Sequence, residues 1–319
     1  MAGDLPGWTG RTVRCRAVAA VAAVAAVLVG FAGLCVQPAW AGDDDQRHGR
    51  ATCLIVDTDV ASDDLRAFAV LFPNRSLRAV VVTEGISSVS RGSTAIALFL
   101  ASAQSSAPAI PGLAADAPPA YGWLPAARAA AERINGLLVA SVPSSANPDK
   151  LKLSLFAALR GCHQVDVLVL GPWSSFVQYA PMLRPLIRRV VASGRPLAEN
   201  NPDNFNCVYD QPACGKADEF LRTIRSAVWV DLPADGTSYP PTQEMVDRLA
   251  GAGMPGVLQA ALNADRSQWL GTRLWDDTAA LYLLDRELFK ATGAHFEPAI
   301  DEQTMRSEWV KAINATPAN

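Results

Sequence analysis

From Cys53 onward the chain alternates short, largely apolar runs with stretches of helical periodicity, and this alternation restricts the fold more than any other feature. The runs fall at 53–56, 77–82, 165–170, 187–191 and 227–230 and are rich in Val, Ile, Leu and Ala. A strand packed on one face alternates apolar and polar residues; these runs do not, so both faces are expected to be covered. Helical periodicity over 63–71, 90–103, 125–139, 174–183, 242–249 and 278–284 supplies the cover. The expected fold class is α/β, a mostly parallel central sheet flanked by helices in a Rossmann-like, doubly wound arrangement. The segment 108–121 is rich in Pro and Ala and reads as loop. Residues 51–319 carry no visible linker or repeat and read as one domain.

Residues 1–41 read as a separate object. Arg11, Arg14 and Arg16 precede an uncharged Ala- and Val-rich run over 17–36, and Ala39-Trp40-Ala41 offers a small-x-small cleavage site. That is the pattern of a signal peptide, with a retained membrane anchor as the alternative, since about twenty apolar residues can span a bilayer. The expected location is exported, periplasmic or secreted, with no stable membrane insertion after cleavage. Residues 42–50 are polar and read as a disordered lead-in. Of six cysteines, Cys53, Cys162, Cys207 and Cys214 lie beyond the signal. An even number in an exported chain permits disulfides, and the absence of a Cys-x-x-Cys pair argues against a zinc or redox motif. Cys207 and Cys214 are expected to pair; a second bridge, Cys53 to Cys162, is compatible with both preceding strands at the same edge of a parallel sheet. The formal charge of -3 and the lack of any Lys/Arg-rich run argue against nucleic acid and for a small-molecule or metal ligand. Oligomeric state is left open, a homo-oligomer included.

The most informative stretch follows the first strand: Asp57-Thr58-Asp59-Val60-Ala61-Ser62-Asp63-Asp64. A strand ends in two acids and a helix opens with two more. In an open parallel sheet, ligands bind outside the carboxyl ends of the strands. Four carboxylates in one tight turn repel unless some are protonated or a cation sits among them. Hard oxygen donors favour Ca²⁺ or Mg²⁺. The alternative is a helix capped by Asp63 with the other acids solvated. An EF-hand is excluded, because Ser62 and Phe68 stand where Gly and the bidentate Glu would be needed.

This turn resembles the Asp-Thr-Asp-Pro-Gly-x-Asp-Asp of the nucleoside hydrolases, with Val60-Ala61 replacing Pro-Gly. Three later segments resemble the same family in the same order: Leu170-Gly171-Pro172-Trp173-Ser174-Ser175, Asn204-Phe205-Asn206 with Asp210 and Pro212 beyond, and Trp275-Asp276-Asp277 with the helix after it. The resemblance implies a calcium-dependent N-ribohydrolase that cleaves a nucleoside or related riboside to ribose and free base. Carried over by position, Asp59, Asp64, Asp276 and the carbonyl of Ser174 would be Ca²⁺ ligands, with Asp59 also the catalytic base for water. Asp63 and Asn206 would grip ribose hydroxyls, Asn204 would meet the 5′ end, and Trp275 would face the base.

The sequence departs from the family on the substrate side. Ile86 stands for an Asn that contacts ribose, Asn204 for a Glu, Ala192 for a Met, and Trp275 for a His that could protonate the leaving base. Indole cannot act as a general acid near neutral pH. Two alternatives therefore stand beside the hydrolase: a catalytically weak, calcium-bound ribose- or nucleoside-binding protein, and a haloacid-dehalogenase-type phosphatase built on Asp57-x-Asp59. His48, His163 and His295 read as surface residues.

Overall fold

The computed structural model describes residues 52–136, 147–199, 204–233, 239–251 and 266–315. The expected signal segment and lead-in, and the end of the helical pattern at 125–139, lie outside the described residues. No described helix is long and apolar enough to cross a membrane.

In chain order the elements are β1 (Thr52–Thr58), α1 (Ser62–Leu71), β2 (Leu77–Val82), α2 (Val89–Ser102), β3 (Ala109–Pro111), α3 (Leu124–Gly136), α4 (Pro148–Ala158), β4 (Gln164–Val169), α5 (Phe176–Leu183), β5 (Ile187–Ser193), α6 (Phe205–Tyr209), α7 (Gln211–Leu221), β6 (Ala227–Val230) and α8 (Gln243–Gly251). Helices Arg266–Leu270 and Trp275–Leu284, strands β7 (Phe289–Thr292) and β8 (His295–Pro298), and helix Glu302–Ile313 follow.

The eight strands form one sheet in the order β3-β2-β1-β4-β5-β6-β8-β7, parallel throughout except for the antiparallel β7–β8 pair. The expected α/β fold with a mostly parallel sheet is therefore found. The apolar runs divide residue by residue between two cores. Leu54 and Val56 of β1 pack with α1, α2 and Trp275–Leu284, whereas Cys53 and Ile55 pack with α4, α5 and α7. This is why the runs lack polar alternation: each face meets its own helical layer. Chain direction across the sheet reverses beside β1, which pairs with β2 on one side and β4 on the other. The crevice at such a switch point is where a doubly wound sheet binds ligands, and the acidic turn leaves β1 there.

The structure adds elements within segments read as irregular. The stretch 108–121 contains β3, which pairs Ile110 with Val81 and ends on Pro111. A three-residue edge strand closing on Pro leaves too little pattern to read. The last acidic helix begins at Trp275 rather than 278, which brings Asp276 and Asp277 into its first turn. Both anticipated disulfides are present, Cys53–Cys162 and Cys207–Cys214. His295 is a correction: it is buried and lies between Glu199 (Nδ1, 2.5 Å) and Glu297 (Nε2, 2.9 Å), tying β8 to the loop after β5.

At the opposite end of the sheet from the acidic turn, Asp166 of β4 is buried and paired with Arg75 (2.7 Å), Arg188 (2.7 Å) and Arg189 (2.9 Å). Burial alone would raise its pKa; the Arg188 hydrogen bond and the charges of Arg189 and Arg75 outweigh it and bring it to about 2. The folded pKa is thus depressed. The contribution is present above the unfolded carboxylate range and is lost as pH falls toward 2. Asp166→Asn is expected to cost about 3 kcal/mol at pH 7, because it leaves three guanidiniums facing each other. The loss should shrink toward pH 3 in denaturant melts, and a pH-independent loss would contradict this account.

Candidate active site

The chain leaves β1 at Thr58 and turns sharply into α1. Val60 takes a positive φ of 58°, unusual for a β-branched residue. Its neighbours hold it there: Ser87 Oγ donates to the Val60 carbonyl (3.0 Å), Ser87 N–H to the Asp59 carbonyl (3.0 Å), and Val60 N–H to Thr58 Oγ1 (3.0 Å). Two glycines allow the turn to close. A Cβ on Gly85 would lie 2.1 Å from Asp59 Oδ2, and one on Gly171 would lie 2.8 Å from the Asp59 nitrogen.

The acids at this turn have distinct partners. Asp57 points away from the others, into the α5 layer, where it accepts from Thr83 (2.5 Å) and Tyr179 (3.1 Å); burial raises its pKa to about 7. Asp59 Oδ2 accepts the Ile86 N–H at 2.8 Å. Asp64 accepts the Thr58 hydroxyl and the Ala61 N–H (2.9 Å), satisfying an orphan donor at the start of α1. Asp64, not Asp63, therefore serves the helix terminus.

Helix Trp275–Leu284 lies against α1 and delivers the second acidic pair. Arg66 locks the two helices together. It is buried, pairs with Asp277 (2.9 Å), and donates to the carbonyls of Trp269 and Arg273 and to Thr272. Trp309 Nε1 donates to the other Asp277 oxygen (2.7 Å). Asp277 is thus compensated, which leaves Asp276 free to face α1.

Carboxylate oxygens of Asp63, Asp64 and Asp276 all lie within 4.8 Å of one another, and all three residues are buried. Asp59 borders them through Asp64. Desolvation first, and the Asp64 charge second, push Asp59 and Asp276 well above the usual carboxylate range and Asp63 to about 7. Arg66, from its place beside Asp277, offsets part of the Asp63 charge, and among the described residues no cationic side chain pairs with a carboxylate of the cluster. Buried, convergent, largely uncompensated hard oxygens are the donor set that fits a divalent cation.

These residues form one wall of a cavity of about 390 Å³. The structure brings Asp59, Asp63, Asp64, Asp276, Asn204, Asn206 and Trp275 together in its lining. Ser174 is not in the lining; its hydroxyl donates to Asp210 (2.6 Å), which caps α7. The two asparagines are partly engaged within the protein. Asn204 Nδ2 donates to the Arg195 carbonyl (2.6 Å), and Asn206 Nδ2 donates to the Leu170 carbonyl (2.5 Å). Trp275 is half-buried, with the Arg273 guanidinium 5.6 Å from its ring centre.

The aromatic cluster in the lining was not anticipated from sequence. Tyr121, Trp123 and Phe205 pack with centroids 5.3–5.7 Å apart and line the cavity with Ile86 and Trp275. Trp123 is 49% exposed, a large apolar ring held at the rim. Asp231, at the end of β6, adds a fifth lining carboxylate and pairs with Arg195 (2.7 Å). The one sequence signal was Tyr121-Gly122-Trp123 itself, an aromatic pair in an otherwise Pro- and Ala-rich segment.

The sequence matches no family model and no curated protein. Solved structures match the fold. The inosine-uridine preferring nucleoside hydrolase from Bacillus anthracis covers 83% of this chain and 100% of its own, at 13% identity and a TM-score of 0.57. The purine-preferring ribonucleoside hydrolase from Gardnerella vaginalis covers 82% and 98%, at 15% identity and 0.56. The type III effector protein XopQ, solved in complex with adenosine diphosphate ribose, covers 85% and 95%, at 13% identity and 0.59. With its eight-stranded, mostly parallel sheet between two helical layers, this chain has the nucleoside hydrolase fold.

Proposed function

We propose that the protein is an exported, divalent-cation-dependent N-ribohydrolase, with calcium as the expected ion, acting on a small nucleoside or riboside. The observation that carries this reading is the buried cluster of Asp63, Asp64 and Asp276, with Asp59 beside it, in the lining of a ligand-sized cavity that also holds four aromatic rings. Asp63, Asp64 and Asp276, with Asp59 beside them, would hold the cation. When bound, such an ion supplies Lewis acidity toward water and vicinal hydroxyls. Asp59 is the base that takes the water proton, held in place by the Ile86 N–H. The surrounding carboxylates stabilise the positive charge that develops on the sugar as the base departs. Tyr121, Trp123, Phe205 and Trp275 receive the aglycone.

One observation favours a second reading, a ribose-binding protein of weak activity. The Asn204 and Asn206 amide groups both donate to backbone carbonyls rather than standing free for sugar hydroxyls. Ribose release from inosine and from p-nitrophenyl riboside with calcium separates the two. The hydrolase reading expects the activated riboside to be cleaved about 10²–10⁴-fold faster than inosine, the worth of the general acid that Trp275 cannot supply. Equal rates on both would show that another residue protonates the base. Ribose binding with neither substrate cleaved would favour the binding protein.

A further inference from the structure

The charge of the cavity lining is one-sided. Five carboxylates line it, on Asp59, Asp63, Asp64, Asp231 and Asp276, and no Lys, Arg or His does among the described residues. The internal segments outside the described residues, 137–146, 200–203, 234–238 and 252–265, contain no Lys, Arg or His by sequence. The guanidiniums around the site are already paired, and the Arg195–Asp231 pair neutralises one of the five lining carboxylates and leaves four. Arg66 is held by Asp277, Arg195 by Asp231 and Glu297, and Arg128 by the carbonyls of Gly85 and Ile86. Arg273 lies over the Trp275 ring and outside the lining. One divalent cation among the acids would still leave the cavity net negative. The same lining holds four aromatic rings, on Tyr121, Trp123, Phe205 and Trp275.

A negative, aromatic-walled cavity repels phosphorylated ligands and attracts an organic cation whose charge lies on a flat ring, through the field of the acids and the ring faces. Such an aglycone also solves the leaving-group problem that Trp275 creates. We propose that the preferred substrates are N-ribosides of a quaternised heteroaromatic ring, such as an N-ribosylpyridinium or a 7-alkylated purine riboside. This inference rests on the hydrolase reading and names its substrate class. The chemistry balances without a general acid. The C1′–N bond breaks with its electron pair passing to the ring nitrogen, which neutralises the ring. A water oxygen bonds to C1′, one proton is released to solvent, and the products are ribose and a neutral base.

The test compares 7-methylinosine with inosine at a pH low enough for N1 of the methylated ring to keep its proton, so that they differ by one methyl group and one positive charge, with p-nitrophenyl riboside as a neutral, activated control. 7-Methylinosine should exceed inosine in kcat/KM by about 100-fold or more, as expected when no general acid is needed. Its KM should lie about tenfold below that of p-nitrophenyl riboside, since only the cation gains from the charged wall. Inosine 5′-monophosphate should not compete. Trp123→Leu, at a rim position whose loss does not open the core, should raise KM for 7-methylinosine roughly 5- to 30-fold and for p-nitrophenyl riboside much less. Equal KM values for the cationic and neutral ribosides, or an equal rise for both in the variant, would overturn the inference and leave the hydrolase reading standing. Tighter calorimetric binding of 7-methylinosine than of inosine, with no riboside cleaved, would support cation recognition and remove the hydrolase reading.

Discussion

Asp59→Asn is expected to lower riboside hydrolysis by about 10²–10⁴-fold while leaving the protein folded. Asn matches Asp in shape, fits the space bounded by Gly85 and Gly171, and keeps an oxygen to accept the Ile86 N–H. What it loses is the lone pair that takes a proton and the negative charge beside Asp64. Because Asp59 is crowded by burial and by the Asp64 charge, removing its charge relieves repulsion in the cation-free protein. The melting temperature without calcium should therefore hold or rise while kcat collapses. A purely structural role for Asp59 predicts the opposite pattern, a lower melting temperature with kcat preserved in the folded fraction. Kinetics with p-nitrophenyl riboside, which makes no demand on protonation of the base, isolates the effect on water activation.

Calcium is expected to stabilise the protein, and more so at higher pH. A ligand bound only by the native state adds about 2.7 kcal/mol at one hundred times its Kd. For a domain of this size that corresponds to roughly 5–10 °C in melting temperature. The sign of the pH dependence follows from the buried acids. Without a cation, burial and the Asp64 charge raise Asp63 to about 7 and hold Asp59 and Asp276 well above the usual carboxylate range. The folded pKa values are raised, so the native state binds more protons than the unfolded chain from about pH 4 upward. Cation-free stability therefore falls as pH rises through that window. Calcium replaces those protons, and its stabilising effect should be larger at pH 8 than at pH 5. Asp64→Asn should abolish most of the shift, since Asp64 belongs to the three-acid cluster and also accepts from Thr58 and Ala61. A shift of equal size at both pH values, or one that survives in the variant, would mean that calcium acts elsewhere.

The sheet was legible because burial on both faces writes a simple signature: Leu54 and Val56 feed one core and Cys53 and Ile55 the other, so β1 has no solvent face to encode. The acidic turn was legible for an electrostatic reason, since repulsion between like charges forces a question about what compensates them. What sequence did not disclose depends on contacts between distant segments. Pro111 ends an edge strand whose only partner among the described residues is β2, and three residues carry no periodicity. His295 reads as a polar residue in a short turn-rich stretch, and the approach of Glu199 across the fold, with Glu297 on its own strand, makes its burial tolerable. The aromatic wall joins Tyr121 and Trp123 from one segment to Phe205 from another, so no local pattern announces it. Asn204 and Asn206 were visible as sugar-binding candidates, whereas the engagement of their amides by the Arg195 and Leu170 carbonyls follows from the sheet ends meeting there. Ser174 matched the family pattern through its carbonyl; the hydroxyl, which donates to Asp210, is not the atom that pattern uses.

The most direct test of the cation-centred hydrolase is the rate of p-nitrophenyl riboside cleavage by chelator-stripped protein as calcium is titrated back. Buried carboxylates on Asp59, Asp63, Asp64 and Asp276 that require a cation to act together predict negligible cleavage after stripping and a saturable return of activity with calcium, absent in Asp64→Asn. Cleavage that continues unchanged after stripping, or that returns equally in Asp64→Asn, would contradict the account.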